Sequence, residues 1–448
     1  MSFLIKNADI ANFDDLSTKT QDILIEDGKF KKIADKIEHS ECYDATIIDA
    51  HNMLALPGFT DAHSHVYQTF IKGPLDDLVI TEWLVRLFTF EDMMSDEDYY
   101  YATLLSCLSA LRFGTTTINE MGGINHLDVS IKAFEDAGIR VTYGASTTDV
   151  PENDVTPLMS IDDALKVSDE IYHKVHNRNN GLMKASVAPA GLPAVSKDMA
   201  VALKKFANEK GLIYHTHLGE GKMETENVAK VYGTNGEAEA LEKIGILDKH
   251  TLLAHSIWLS DHEIDIIKQT GAIPVHCPNT NMKISDGIPK IAQMLKKGIP
   301  VAMGCDGEAS SATKDMIREG KAGSFLQKAI TLDPTVMDAG TTFKMMTVNG
   351  ARALGYDDLG EIKEGNQADL VLVNMEDDFS LTDRDHRIGN LLYAGTGHAV
   401  DTVFVRGNLK VRNKHIQGFD EQYILNKCND MIHKLNIKTG YVKEEQWK

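Results

Sequence analysis

His63 and His65, His217, His255 and Asp306 each stand at the end of a separate apolar run of this chain. Neutral imidazoles and carboxylates are side chains that hold divalent cations. One such residue behind one run says little, because a lone histidine is more often a satisfied core residue. Recurrence at the same end of four runs points to a site, since no local packing requirement produces it. In an extended segment residues i and i+2 face the same way, so His63 and His65 can grip one ion from one strand. The same period sets His215 beside His217. His217 lies nearer the carboxyl end and is the expected ligand, with His215 a supporting or core residue. Asp306 follows Val301-Ala302-Met303-Gly304-Cys305. A carboxylate at the end of a buried strand is costly unless compensated, and a cation compensates it. Three imidazoles and one carboxylate suit one zinc ion with room for water, and iron or manganese would suit the same set. The chemistry expected is metal-assisted hydrolysis. His39, His173, His176, His250, His386, His415 and His433 read as surface residues, while His126, His276 and His398 stay open.

These residues need a frame that brings distant strand ends together. Between the two ends of the chain, strand-like runs alternate with amphipathic helical ones, which argues βα units and a parallel sheet. The strand candidates are 54–60, 115–119, 140–144, 185–189, 212–217, 251–255, 272–276 and 300–306. Ser95 and Ser260 are helix starts, Ser260 with Glu263 forming a capping box. Gly138, Gly211 and Gly271 sit where helices would end. The fold class expected is α/β, a (β/α)8 TIM-type barrel. An open doubly wound sheet is the alternative, but no GxGxxG follows any strand, and the ligand-type residues converge better in a barrel. Both chain ends read as short strands and turns, with Asp27-Gly28 as a hairpin signal. Together they would form one small β domain. The expected division is 1–56 for its first part, 57–358 for the barrel, and 359–448 for its second part with a terminal helix.

Bulk properties narrow the function further. The chain has 448 residues, 43% hydrophobic and 25% charged, with a net charge of −20. Such an acidic surface argues against nucleic acid as a partner, though not against a nucleoside or base as a small-molecule ligand. The five cysteines are scattered, with no CxxC. They read as reduced thiols of a cytoplasmic protein. The N-terminus is not a signal peptide, and no apolar stretch is long enough to span a membrane.

The segments PGFTDAHSH, HTHLGEG, LLAHS, HCPNTNMKISDG, MGCDGEASS, MTVNGARALG and GEIKEGNQADLVLV resemble the amidohydrolase superfamily, in its cyclic-amidine hydrolase branch. That branch includes 5′-methylthioadenosine/S-adenosylhomocysteine deaminases and triazine hydrolases. The resemblance covers nearly the whole chain in the expected order. It implies that His63, His65, His217 and Asp306 bind the metal. It also implies that Glu220, three residues after His217, moves protons between water and a ring nitrogen. His255 would hydrogen-bond the attacking water or the developing oxyanion. Trp83 would line the pocket from a lid helix, and Glu91 would hold ribose hydroxyls. Binuclear relatives use a carboxylated lysine near the end of the fourth strand. Lys184 sits too early for that role, so one metal is expected. Relatives are commonly dimers or tetramers, which implies a homo-oligomer.

Two departures bear on substrate. Nucleoside-type members carry a His after the fourth strand where this chain has Ala190. They also tend to place an Arg after the third strand, where this chain reads Gly144-Ala145-Ser146-Thr147-Thr148. The leading expectation is hydrolytic deamination of an adenosine-type nucleoside, such as 5′-methylthioadenosine or S-adenosylhomocysteine, with release of ammonia. The alternative is a hydrolase of a free oxopurine, pyrimidine or substituted triazine, with an amine or halide as leaving group. A remote alternative is an inactive binding barrel. Glu308, close behind Asp306, reads as a loop residue, with contact to substrate as the alternative.

Overall fold

The computed structural model describes residues 2–442. Its centre is a ring of parallel strands: Phe59–Ser64, Thr115–Gly122, Arg140–Thr147, Met183–Ala185 with Ala188–Pro189, Tyr214–Leu218, Thr251–His255, Ile273–His276 and Ala302–Met303. The first of these run as one hydrogen-bonded sheet and the last four as another. Two seams join the sheets. At one, Val187 bridges to Tyr214. At the other, the Asp306 amide donates to the His63 carbonyl at 2.8 Å. The ring is therefore closed, as the alternation of strand and helix patterns predicts. Strands covered on both faces must be buried along their whole length, and every residue of Phe59–Ser64 and Thr115–Gly122 is.

Helices between the strands start and stop where their caps dictate. Ser95 opens Asp96–Arg112 in a reciprocal box with Asp98, and Ser260 opens Asp261–Thr270 in a box with Glu263. Gly138, Gly211 and Gly271 end their helices at φ of 65°, 67° and 74°, the left-handed region that glycine enters without a Cβ penalty.

A nine-stranded sheet holds strands from both ends of the chain. Phe3–Ala11, Thr18–Glu26 and Lys29–Ala34 form antiparallel pairs, and Thr46–Asp49 lies parallel to Phe3–Ala11. The turn Asp27-Gly28 has φ of 52° and 77°, as a two-residue hairpin requires. Met53–Pro57 pairs antiparallel with Leu370–Asn374, so the chain enters and leaves the barrel on neighbouring strands. A fully buried ion pair, Arg140 to Asp369 at 2.9 Å, ties this sheet to the barrel.

One expected strand divides. The run 54–60 is not a single barrel strand: Met53–Pro57 belongs to the terminal sheet, and the barrel strand begins at Phe59. Gly58 marks the crossover. A Cβ there would lie 2.2 Å from the Thr116 hydroxyl, so only glycine lets the two strands pass at this point.

Candidate metal centre and active site

The strand ends deliver the predicted residues to one rim of the ring. Ligand atoms of His63, His65 and His217 lie within 4.8 Å of one another, as do those of His63, His255 and Asp306. Nε2 of His63 and Nε2 of His65 each lie 3.4 Å from Oδ1 of Asp306. The His65 and His217 rings are nearly parallel, with centroids 5.7 Å apart, and the His63 ring stands edge-on to both.

Each ring is held through its far nitrogen. His65 Nδ1 donates to the Met121 carbonyl at 2.7 Å, and His217 Nδ1 donates to the Ala190 carbonyl. Protonation at Nδ1 leaves the Nε2 lone pair facing the cluster, the usual arrangement for a metal-binding histidine. Burial lowers the His65 pKa to about 4 and that of His63 well below the ordinary value, so both stay neutral at pH 7. Burial pushes the Asp306 carboxyl upward, but the nearby imidazoles, His63 first, outweigh this and hold it well below the usual range. Nε2 atoms of His63 and His255 are buried without a hydrogen-bond partner. Inward-facing lone pairs, an ionised carboxylate and orphaned nitrogens together fit a divalent cation.

A second layer was beyond sequence reasoning except at His215. His215 Nε2 lies 2.9 Å from His63 Nδ1, and its Nδ1 lies 3.1 Å from the Asn119 amide, which also donates to the Ala62 carbonyl. Asp61 accepts the Cys305 amide at 2.8 Å across the closing seam. Lys314, fully buried, reaches the Ser64 hydroxyl and the Asp306 carbonyl at 2.6 Å each, and Asp61 at 3.4 Å. Burial lowers the Lys314 pKa, but the Asp61 charge outweighs it and the amine stays protonated. The available signal was a Lys-Asp pair eight residues beyond Asp306, which carries no meaning without the fold. His255 and Asp306 both adopt positive φ, 67° and 65°. Such backbone persists only where its surroundings hold it, and it clusters at functional sites.

Glu220 follows strand Tyr214–Leu218 and precedes helix Lys222–Tyr232. Its Oε1 lies 3.5 Å from His255 Nε2. Loss of hydration in the cavity pushes its pKa up to about 7, with the neighbouring His217 acting in the opposite direction. His255 Nδ1 donates to the Asn281 side chain at 2.9 Å, which leaves Nε2 facing the cluster. The turn that carries Glu220 is pinned by Glu237, which accepts the Gly219 amide at 2.9 Å.

A cavity of about 540 Å³ opens over the cluster, and Trp83, Glu91, His217, Glu220, Asp286 and Asp306 are among its lining residues. Trp83 and Glu91 come from helix Ile80–Met93. The Trp83 indole N–H is buried without a partner. Both Glu91 oxygens are already engaged, by the Tyr99 hydroxyl at 2.8 Å and the Tyr67 hydroxyl at 3.2 Å. His126 stacks on Tyr99 at the same cavity. Ala190 lines the wall, so no imidazole projects from this position.

Other residues fall elsewhere. Lys184 donates to the Gly355 carbonyl at 3.1 Å and lies over the Tyr356 ring, away from the cluster. His276 is buried with both ring nitrogens unpartnered, and burial lowers its pKa to about 3. His176 is half-buried rather than a surface residue, because its ring accepts the Ala185 amide. Glu308 is not in an open loop. It starts the short helix Glu308–Ser311, is 3% exposed, and faces Lys72 at 3.4 Å. Among the described residues no helix is long and apolar enough to cross a membrane.

The amidohydrolase family model matches residues 54–410. A 5-methylthioadenosine/S-adenosylhomocysteine deaminase of Halothermothrix orenii is 31% identical over 441 residues, covering 97% of this chain and 100% of that protein. A 5′-deoxyadenosine deaminase of Methanosphaera stadtmanae is 32% identical over 422 residues, covering 94% and 96%. An adenosine deaminase of Xanthomonas campestris, solved with zinc, superposes with a TM-score of 0.87 at 24% identity, covering 97% and 98%. An atrazine chlorohydrolase of Arthrobacter aurescens, also with zinc, gives 0.88 at 22%, covering 96% and 100%. At those identities the two solved structures speak for the barrel fold alone.

Proposed function

Because the chain belongs to the amidohydrolase family, we propose that it is a metal-dependent hydrolase that deaminates an adenosine-type nucleoside and releases ammonia. The observation that carries this reading is the place of Glu220. It sits within 4.8 Å of ligand atoms of His217 and His255, with its pKa raised to about 7. A carboxyl tuned near the working pH can both give and take a proton. The names of relatives that match nearly the full length of the chain support the same reaction.

In this reading His63, His65, His217 and Asp306 hold one divalent ion, zinc. Such an ion, when bound, supplies Lewis acidity that brings the pKa of water toward neutrality. The residues divide the remaining work. Asp306, ionised at pH 7, accepts a proton from the attacking water. Glu220 delivers a proton to the ring nitrogen beside the carbon under attack. His255, its Nδ1 tied to Asn281, presents Nε2 to the water or to the developing oxyanion. Glu220 then takes back the proton of the added hydroxyl and Asp306 gives its proton to the departing amine, so the carbon keeps the water oxygen as a carbonyl and the amino group leaves as ammonia. Trp83 covers the ring, and Glu91 contacts the sugar. Residues 57–358 are the catalytic unit, and the terminal sheet braces it. The five unpaired cysteines suit a cytoplasmic enzyme, and the resemblance suits a dimer or tetramer.

One observation favours a second reading, a hydrolase of a bare heterocycle. Glu91 has both oxygens occupied by tyrosines, and Ala190 offers no imidazole, so two expected contacts to a nucleoside are weakened. Ammonia release by metal-loaded protein from adenosine-type nucleosides, free bases and aminotriazines separates the two. Turnover of a bare ring with none of any nucleoside would overturn the first reading. An inactive binding barrel would show no turnover and bind no metal.

A further inference from the structure

The cavity above the cluster is lined by the carboxylates of Glu152, Glu220, Glu224 and Asp286, and no Lys or Arg among the described residues lines it. Cations close by are committed elsewhere, Lys314 to Ser64 and the Asp306 carbonyl beneath the floor. Lys283 pairs with Asp76 at 2.7 Å, and Lys222 lies over the Trp258 ring.

Acidic groups alone do not make a site, but Asp286 adds an independent sign. Its side chain is buried, the residue being 9% exposed, and its Oδ2 has no hydrogen-bond partner. The backbone around it is fixed: its amide donates to the Asn281 carbonyl at 3.1 Å, and its carbonyl accepts the Trp258 indole N–H at 2.8 Å. A buried acceptor held in place without a donor is costly, and the residue lines the cavity where a ligand would bring one. Burial and then the Glu220 charge raise its pKa to about 8, so a positive group brought between these acids favours their ionised forms.

We propose that Asp286 is a substrate-binding residue, and that the pocket selects a heterocycle whose arm carries an ammonium group and rejects one whose arm carries a carboxylate. This rests on the deaminase reading above and narrows it. Away from the metal floor, a cation entering the cavity meets the acids Glu152, Glu224 and Asp286 and no Lys or Arg among the described residues. A carboxylate entering it finds no guanidinium or ammonium to receive it and further disfavours ionisation of the acids around it. Ser146 and Thr148, which line the wall after the third strand, are neutral and supply no substitute.

Three compounds with the same ring and sugar test this on the metal-loaded protein. They are 5′-methylthioadenosine (uncharged arm), S-adenosylhomocysteine (ammonium plus carboxylate) and its decarboxylated counterpart S-adenosyl-3-thiopropylamine (ammonium alone). Each is measured for binding by calorimetry and for ammonia release. The expected order of affinity is decarboxylated compound, then 5′-methylthioadenosine, then S-adenosylhomocysteine, with at least tenfold between first and last and a ratio that shrinks as salt rises. Asp286→Asn should cut that ratio severalfold. Glu152→Gln, at an exposed position where folding is not at stake, should cut it less. Equal affinity for the first and last, or a ratio that neither substitution moves, overturns the inference. Binding in the expected order without ammonia release supports the inference and sinks the deaminase reading, and no binding by any of the three sinks both.

Discussion

The floor and the wall of the cavity are built on opposite plans. On the floor, His63, His65 and His217 are each held from behind, by His215, the Met121 carbonyl and the Ala190 carbonyl. Their free nitrogens converge. On the wall, the Trp83 indole N–H and the Asp286 Oδ2 have no protein partner. A floor of this kind has its geometry set before any ligand arrives, which is what a metal site needs. A wall of this kind leaves its hydrogen-bonding capacity for the substrate. The difference teaches where tolerance to change should lie: the floor fails as a unit, whereas the wall can be altered to change what is bound.

The largest effect should come from the floor. Asp306→Asn is expected to remove turnover, by about 10³-fold or more, and to lower metal content as read by elemental analysis. A variant that keeps both would break the contrast outright. Next is Glu220→Gln, which stands where floor meets wall. It should reduce kcat by about 10²–10⁴-fold while metal content stays nearly intact. Near-normal turnover would remove Glu220 from the proton transfer. His215→Ala leaves all four proposed ligands in place and removes only the support of His63. Metal affinity, measured by competition with a chelator, should fall about 10–100-fold, and an unchanged affinity would show that support to be idle.

The smallest effect concerns stability. Burial raises the Glu237 pKa to about 7, above its unfolded value of about 4.3. The folded state therefore binds the extra proton between those values, and stability contributed by the protonated form is lost as pH rises through 7. Glu237→Gln keeps an acceptor for the Gly219 amide. It should flatten this loss, stabilising the protein at pH 8 by on the order of 1–3 kcal/mol relative to the parent. Thermal melts of both proteins from pH 5 to 8.5 measure it, and parallel pH profiles would show that Glu237 does not titrate as described.

The floor was legible in the sequence, and the wall largely was not. A metal-type residue behind each of several apolar runs is a pattern along the chain, so the convergence of His63, His65, His217, His255 and Asp306 could be expected from spacing and strand period. The helix ends at Ser95, Ser260, Gly138, Gly211 and Gly271 were legible because capping is local. Asp286, Asn119 and Lys314 carry no such local mark. What each does depends on neighbours tens or hundreds of residues away, as with Lys314 against Ser64 and Asp61. The merged reading of 54–60 failed for a related reason: one apolar run serves two sheets, and hydrophobicity does not say where one hands over to the other.

The pairing of Met53–Pro57 with Leu370–Asn374 has a consequence for biosynthesis. The opening strands emerge from the ribosome some three hundred residues before the partner that completes their layer, so that layer cannot finish assembling until the ring is made. Its exposed strand edges must meanwhile be shielded from neighbouring nascent chains. Yield during expression should therefore depend on holdase chaperones more steeply than the stability of the finished enzyme would suggest.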